Sequence, residues 1–159
     1  MRIRTCVLVS SVALAAACGT PGTAEGEAGA ADAVDAFITA IQNADGETAC
    51  DLMRPDTRQA LEMLMAWAPE DEHGGEASCV YLFAELLPEE MPQQEQEAIM
   101  SLELGETVEL DEDGETAEVE VVRIEPGAEE ESTDMIQVHW DGERWRVGED
   151  LIPLDGGGW

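Results

Sequence analysis

The apolar residues of this chain change period at Gly105, and that change constrains the fold more than any other feature. Before it, Val34, Phe37, Ile38 and Ile41 recur at helical spacing across residues 30–44, with Asp32, Asp35, Thr39 and Gln42 on the other side. Asp45-Gly46 ends that helix, and a short segment over 48–53 carries Cys50. Pro55-Asp56-Thr57 opens a second helix with Leu61, Leu64, Met65 and Trp67 as its buried face. After the polar loop PEDEHGG (69–75), a third helix over 76–87 places Cys79, Leu82, Phe83, Leu86 and Leu87 on one side, and Pro88 is expected to stop it. A short helix or turn is expected over 95–102.

Beyond Gly105 the period is two. Segments 107–110, 116–124, 134–140 and 144–147 are rich in Val, Ile, Thr and Trp and are separated by turn sequences. Ala117, Val119 and Val121 alternate with Glu118 and Glu120, and Ile136, Val138 and Trp140 alternate with Gln137 and His139. Val121-Val122 followed by Ile124 shifts the apolar parity, which predicts a bulge or a strand that passes from half-exposed to covered. Asp113-Gly114 and Asp141-Gly142-Glu143 are hairpin-turn signals. Helices first and antiparallel strands afterwards predict an α+β domain in which one sheet face packs on helices. Arg144 and Arg146 fall on the polar parity of the last strand, where they can pair with Glu, Gln137 or His139 across strands.

The first twenty residues carry a different message. Arg2 and Arg4 precede an apolar run over 7–17, and Cys18-Gly19 follow it. This resembles the signal peptide of a bacterial lipoprotein, with Leu14-Ala15-Ala16-Ala17-Cys18 as the lipobox; a larger apolar residue is usual where Ala15 stands. The resemblance implies a diacylglyceryl group on Cys18, cleavage before it, and a place on the extracellular face of the cell membrane. An ordinary secretory signal and an uncleaved anchor are the alternatives, and the run is about half the ~20 residues needed to span a bilayer. The expected organisation is therefore a signal over 1–17, a lipidated Cys18 and flexible tether over 18–28, one domain over 29–150, and a tail over 151–159. The tether, GTPGTAEGEA after Cys18, has no large apolar side chain to bury.

Thirty-seven acidic residues stand against seven basic ones, all arginine, for a formal charge of −30. Loss of residues 1–17 removes Arg2 and Arg4 and no acid, which moves the charge to −32. Such a charge excludes nonspecific nucleic-acid binding and disfavours attraction to anionic headgroups. The acids read as a solubilising surface. Divalent-cation binding is the alternative, because Asp111, Asp113 and Glu115 in LDEDGET have the alternate spacing of the opening of a calcium loop, although further spaced oxygen ligands are missing.

Cys6 leaves with the signal and Cys18 takes lipid, so Cys50 and Cys79 remain as a pair. Outside the cytoplasmic membrane a disulfide between them is the default. A metal or catalytic thiol is the other reading, and neither Cys has a His at a recognisable spacing.

FITAIQNADGETACDL (37–52), SCVYLFAELL (78–87) and DGERWRV (141–147) together resemble the nuclear transport factor 2-like (cystatin-like) superfamily, in particular small extracellular lipoproteins of high-GC Gram-positive bacteria. The resemblance covers most of residues 30–150. It implies a curved antiparallel sheet wrapped round helices as a cone with a pocket at its wide end. Some members are ketosteroid isomerases or polyketide cyclases and others are non-catalytic binding modules, so fold alone does not choose.

An enzyme of that kind needs a general base and an oxyanion partner in an apolar pocket. Tyr81 and His139 are the residues on offer, but both are read as pocket-rim residues, Tyr81 capping the core and His139 on the polar parity of its strand, with Trp67, Trp140 and Trp145 as core or rim aromatics and no catalytic residue expected; His73 falls in the acidic loop and Trp159 follows three glycines in the tail. No triad signature, phosphate loop or zinc spacing is present in the sequence, and no cofactor or metal is expected. The expected function is a non-catalytic, membrane-anchored module for an envelope protein or small apolar ligand. A small isomerase or cyclase and an acidic cation-binding envelope protein are the alternatives.

Overall fold

A computed structural model describes residues 20–66, 78–124 and 131–148. Helix α1 (Glu27–Gln42) buries Ala30, Ala33, Val34, Phe37 and Ile38, a stripe at spacings of three and four, as the sequence periodicity requires. A short helix α2 (Gly46–Leu52) follows after Asp45, which caps it: its carboxylate accepts from the Thr48 N–H at 3.1 Å and from the Thr48 hydroxyl at 2.7 Å. Helix α3 spans Pro55–Ala66.

Ser78 caps α4 through its hydroxyl, which accepts from the Tyr81 N–H at 3.1 Å. The helix begins at Cys79–Tyr81, widens into a π-helical segment Leu82–Leu86 and ends as α-helix over Leu87–Glu90. Pro88 therefore does not stop this helix. The wider turn, in which the Leu87 N–H reaches the Leu82 carbonyl, makes room for the ring, and Pro88 opens the final α-helical turn, where its missing N–H costs little. Helix α5 (Gln93–Met100) leads into the sheet, and its end is tied to α1 by the Gln42 side-chain amide, which donates to the carbonyls of Ile99 at 3.2 Å and Leu102 at 2.9 Å.

Strands β1 (Glu103–Leu110), β2 (Thr116–Ile124), β3 (Glu131–Trp140) and β4 (Trp145–Val147) form one antiparallel sheet in the order β1-β2-β3-β4. Cross-strand partners Ala117, Val138 and Val147, and Val119 with Ile136, line one face and are buried against α1, α2 and α4. Phe37 and Phe83 meet edge to face at 5.9 Å in this core, and Trp145 is among its largest fully buried side chains. Among the described residues the architecture is thus α+β, five helices with a four-stranded antiparallel sheet packed on α1.

The bulge sits in β1, between Leu104 and Val108, where the register slips against β2. The β2–β3 pairing stays regular through Val121 and Val122, and it is Arg123, only 6 % exposed, that continues the inward parity. Glu120 occupies the gap: its carboxylate accepts from the Glu106 N–H at 3.3 Å and the Thr107 hydroxyl at 2.8 Å, and Gly105 leaves space for its side chain.

A second difference concerns the expected tether. Within residues 20–28, the chain folds onto the domain. The Gly22 N–H donates to Asp32 Oδ2 at 2.7 Å, and the Gly22 carbonyl accepts from the Trp145 N–H at 2.9 Å. Gly22 has φ +74°, and a Cβ there would lie 2.9 Å from the Ala33 Cβ, so the close approach depends on glycine. Small residues carry no apolar face of their own, but here Gly22 makes room for the Ala33 Cβ and the Trp145 backbone.

Candidate functional site

Asp51, Asp141, Arg144 and Arg146 are linked by hydrogen bonds between α2 and the β3–β4 turn. The Asp141 carboxylate closes the turn by accepting from the N–H groups of Glu143 and Arg144, both at 2.9 Å, and its second oxygen accepts from Arg146 Nε at 2.6 Å. Arg144 then reaches α2, where its guanidinium donates twice to the Asp51 carboxylate, at 2.5 and 2.8 Å. Arg146 Nη1 donates to the Asp51 backbone carbonyl. Just past α2, Met53 pairs with Val147, and the Arg54 N–H donates to the Val147 carbonyl at 3.0 Å, which covers the β4 edge. The two arginines thus pair with Asp51 and Asp141, while Arg146 stands opposite His139 in the β3–β4 register.

Charge follows this geometry. Burial raises the Asp141 carboxyl, but the hydrogen bonds from Arg146 and from the Arg144 and Glu143 N–H groups outweigh it and hold the group at about 2. The bidentate Arg144 contact lowers Asp51 against a smaller opposing effect of burial, with Arg146 and Arg58 adding their fields.

Two open depressions flank this cluster. The first, of about 540 Å³, is lined by Thr20, Pro21, Glu47, Thr48, Asp51, Leu52 and Arg144. The second, of about 430 Å³, lies at the start of α3 and includes Arg54, Asp56, Thr57, Gln137 and His139. Arg54 pairs with Asp56 at 2.5 Å there.

Cys50 and Cys79 are joined, with sulfurs 2.00 Å apart and Cα atoms 5.9 Å apart, and both are buried. Trp140 is half-buried and meets Trp145 at 5.7 Å, while Trp145 itself is a core residue with no exposed surface. Tyr81 packs on the core from α4; His139 lies on the opposite sheet face, its Nδ1 3.4 Å from the Thr116 hydroxyl. Neither depression contains Tyr81, and the second contains His139, so these two candidates are not brought to one pocket. Cys18 and Trp67 lie outside the described residues. The Asp111 carboxylate accepts from the backbone N–H groups of Glu115 at 3.0 Å and Thr116 at 3.2 Å, which closes the β1–β2 loop and gives this acid a structural use. Among the described residues, no group of three or more acids, His or Cys is arranged to hold a metal ion.

Sequence reasoning did not find Asp51, because its partner is 93 residues away. The available signal was local: DGER places an arginine where the turn aspartate orients it. Comparison with protein families, with curated proteins and with solved structures finds no match to this chain.

Proposed function

We propose that the chain is a lipoprotein anchored through Cys18 on the extracellular face of the cell membrane, and that its α+β domain is a non-catalytic module that binds an envelope protein. The observation that carries this reading is the buried Cys50–Cys79 disulfide in a chain whose apolar leader ends in Cys18. Such bridges persist in oxidising compartments, and an exported domain of this size gains from one. The nuclear transport factor 2-like cone belongs to the same proposal, supported by the helices-then-sheet order and by the sheet packed on α1. A protein partner is favoured over a small apolar ligand because Phe37, Phe83, Ile136 and Trp145 fill the space between helices and sheet. The two depressions, beside α2 and at the start of α3, lie open at the surface.

The reading is tested by feeding cells an alkyne-tagged fatty acid and comparing the wild type with Cys18→Ser. The expected result is label and membrane retention for the wild type, with both lost in the variant. Retention of the unlabelled variant in the membrane to the wild-type extent would overturn the anchor.

A further inference from the structure

We propose that the surface formed by the Gly22 crossing, the start of α2 and the β3–β4 turn faces the phospholipid headgroups of the membrane that holds the anchor. This orientation rests on the lipidation of Cys18 proposed above and adds the surface that the lipid imposes. Gly22 is clamped to Asp32 and Trp145, so the domain is fixed from that residue onward. Four peptide steps separate it from Cys18, a reach of at most about 14 Å. The headgroup layer of one leaflet is roughly 5–7 Å thick, so Gly22 can stand no more than about 7–9 Å above it.

That distance is close to one Debye length at physiological salt, about 8 Å, so the membrane and this face feel each other's charge. The face is suited to the task in an otherwise acidic domain. Thr20, Pro21, Thr48 and Leu52 are uncharged and the Asp51 carboxylate is bound by Arg144, which leaves Glu47 and, on the turn, Glu143 as exposed acids. Arg146 binds Asp141 and the Asp51 carbonyl, and Arg58 adds its field at Asp51. Three of the five arginines beyond Cys18 thus act in this neighbourhood. The opposite end of the sheet, where β3 begins at Glu131, is about 30 Å away along a ten-residue strand and points to the exterior.

The test uses the full, lipidated chain in vesicles of phosphatidylglycerol and phosphatidylcholine, with a nitroxide quencher on the headgroups. A fluorophore is attached to Glu47→Cys at the proposed face, or to Glu131→Cys at the far end; both positions are exposed. Quenching several-fold stronger at 47 than at 131 is the expected result, and a ten-residue Gly-Ser insert after Gly19 should erase the difference. Equal quenching, or stronger quenching at 131, overturns the orientation; a difference that survives the insert overturns the short connection as its cause. Intact mass is read on each sample first. A mass without acyl chains overturns the anchor reading, and the orientation with it.

Discussion

Opening the Cys50–Cys79 bridge should lower stability by an amount the chain topology sets. The bridge spans a sequence separation of 29, and a closed loop of this size restricts the unfolded chain by about 3.6 kcal/mol in the loop-entropy treatment. Reduction leaves both thiols in their buried places, so it isolates the cross-link from the packing of the sulfurs. The loop it opens contains α3 and the start of α4, whereas α2 stays held to the sheet by Arg144–Asp51 and by the Met53–Val147 pairing. For a domain of this size the expected fall in Tm is roughly 10–15 °C, read by circular dichroism melts of oxidised and fully reduced protein. Hydrogen exchange should quicken in α4 before α1 and the β2–β3 pair, whose protection comes from the sheet and core. A Tm change below about 2 °C, or exchange that quickens uniformly, would refute the view that this bridge fastens α4 to a core that otherwise holds itself.

Trp145→Ala should cost about 3–5 kcal/mol in chemical unfolding, since it empties a fully buried site. Trp145→Phe should cost distinctly less, because the indole N–H it deletes is buried with no hydrogen-bond partner among the described residues. Gly22→Ala should release residues 20–26 from Trp145 through its positive φ and the Ala33 contact, and a red shift of tryptophan emission would report it. Asp141 has its pKa lowered from 3.8 to about 2, so its contribution is complete above about pH 4 and is lost as pH falls towards 2. Because this carboxylate is partly exposed, the loss should be only about 1 kcal/mol, and Asp141→Asn should flatten the acid limb of a stability–pH curve.

The parts of the fold that could be read from the sequence are those where one local pattern decides. The stripe Val34, Phe37, Ile38 had one helical face to offer, and α1 buries it. The alternation from Thr116 to Val121 fixed which side of β2 meets the core. Where two local signals compete, tertiary packing decides. Pro88 stays inside α4 because the π-helical segment before it relieves the clash that ordinarily ends a helix. The parity shift at Val122 is tolerated without a bulge, and the slip appears in β1 instead, next to Gly105, where a backbone without a side chain admits the Glu120 carboxylate. Residues 20–26 have no apolar pattern, so their docking on Trp145 was invisible; it depends on backbone hydrogen bonds and on glycine's small size. The Asp51 cluster was equally hidden, since a long-range ion pair has no periodicity. Tyr81 and His139 both read as rim residues in the sequence, and only the sheet shows that they lie on opposite sides of it.

The anchored, disulfide-bonded form is tested most directly by intact mass of the protein extracted gently from membranes, recorded with and without reductant. The expected mass begins at Cys18, carries the acyl groups of a lipoprotein, and rises by two hydrogens on reduction as Cys50–Cys79 opens. An unacylated chain, or a mass unchanged by reductant, would contradict it.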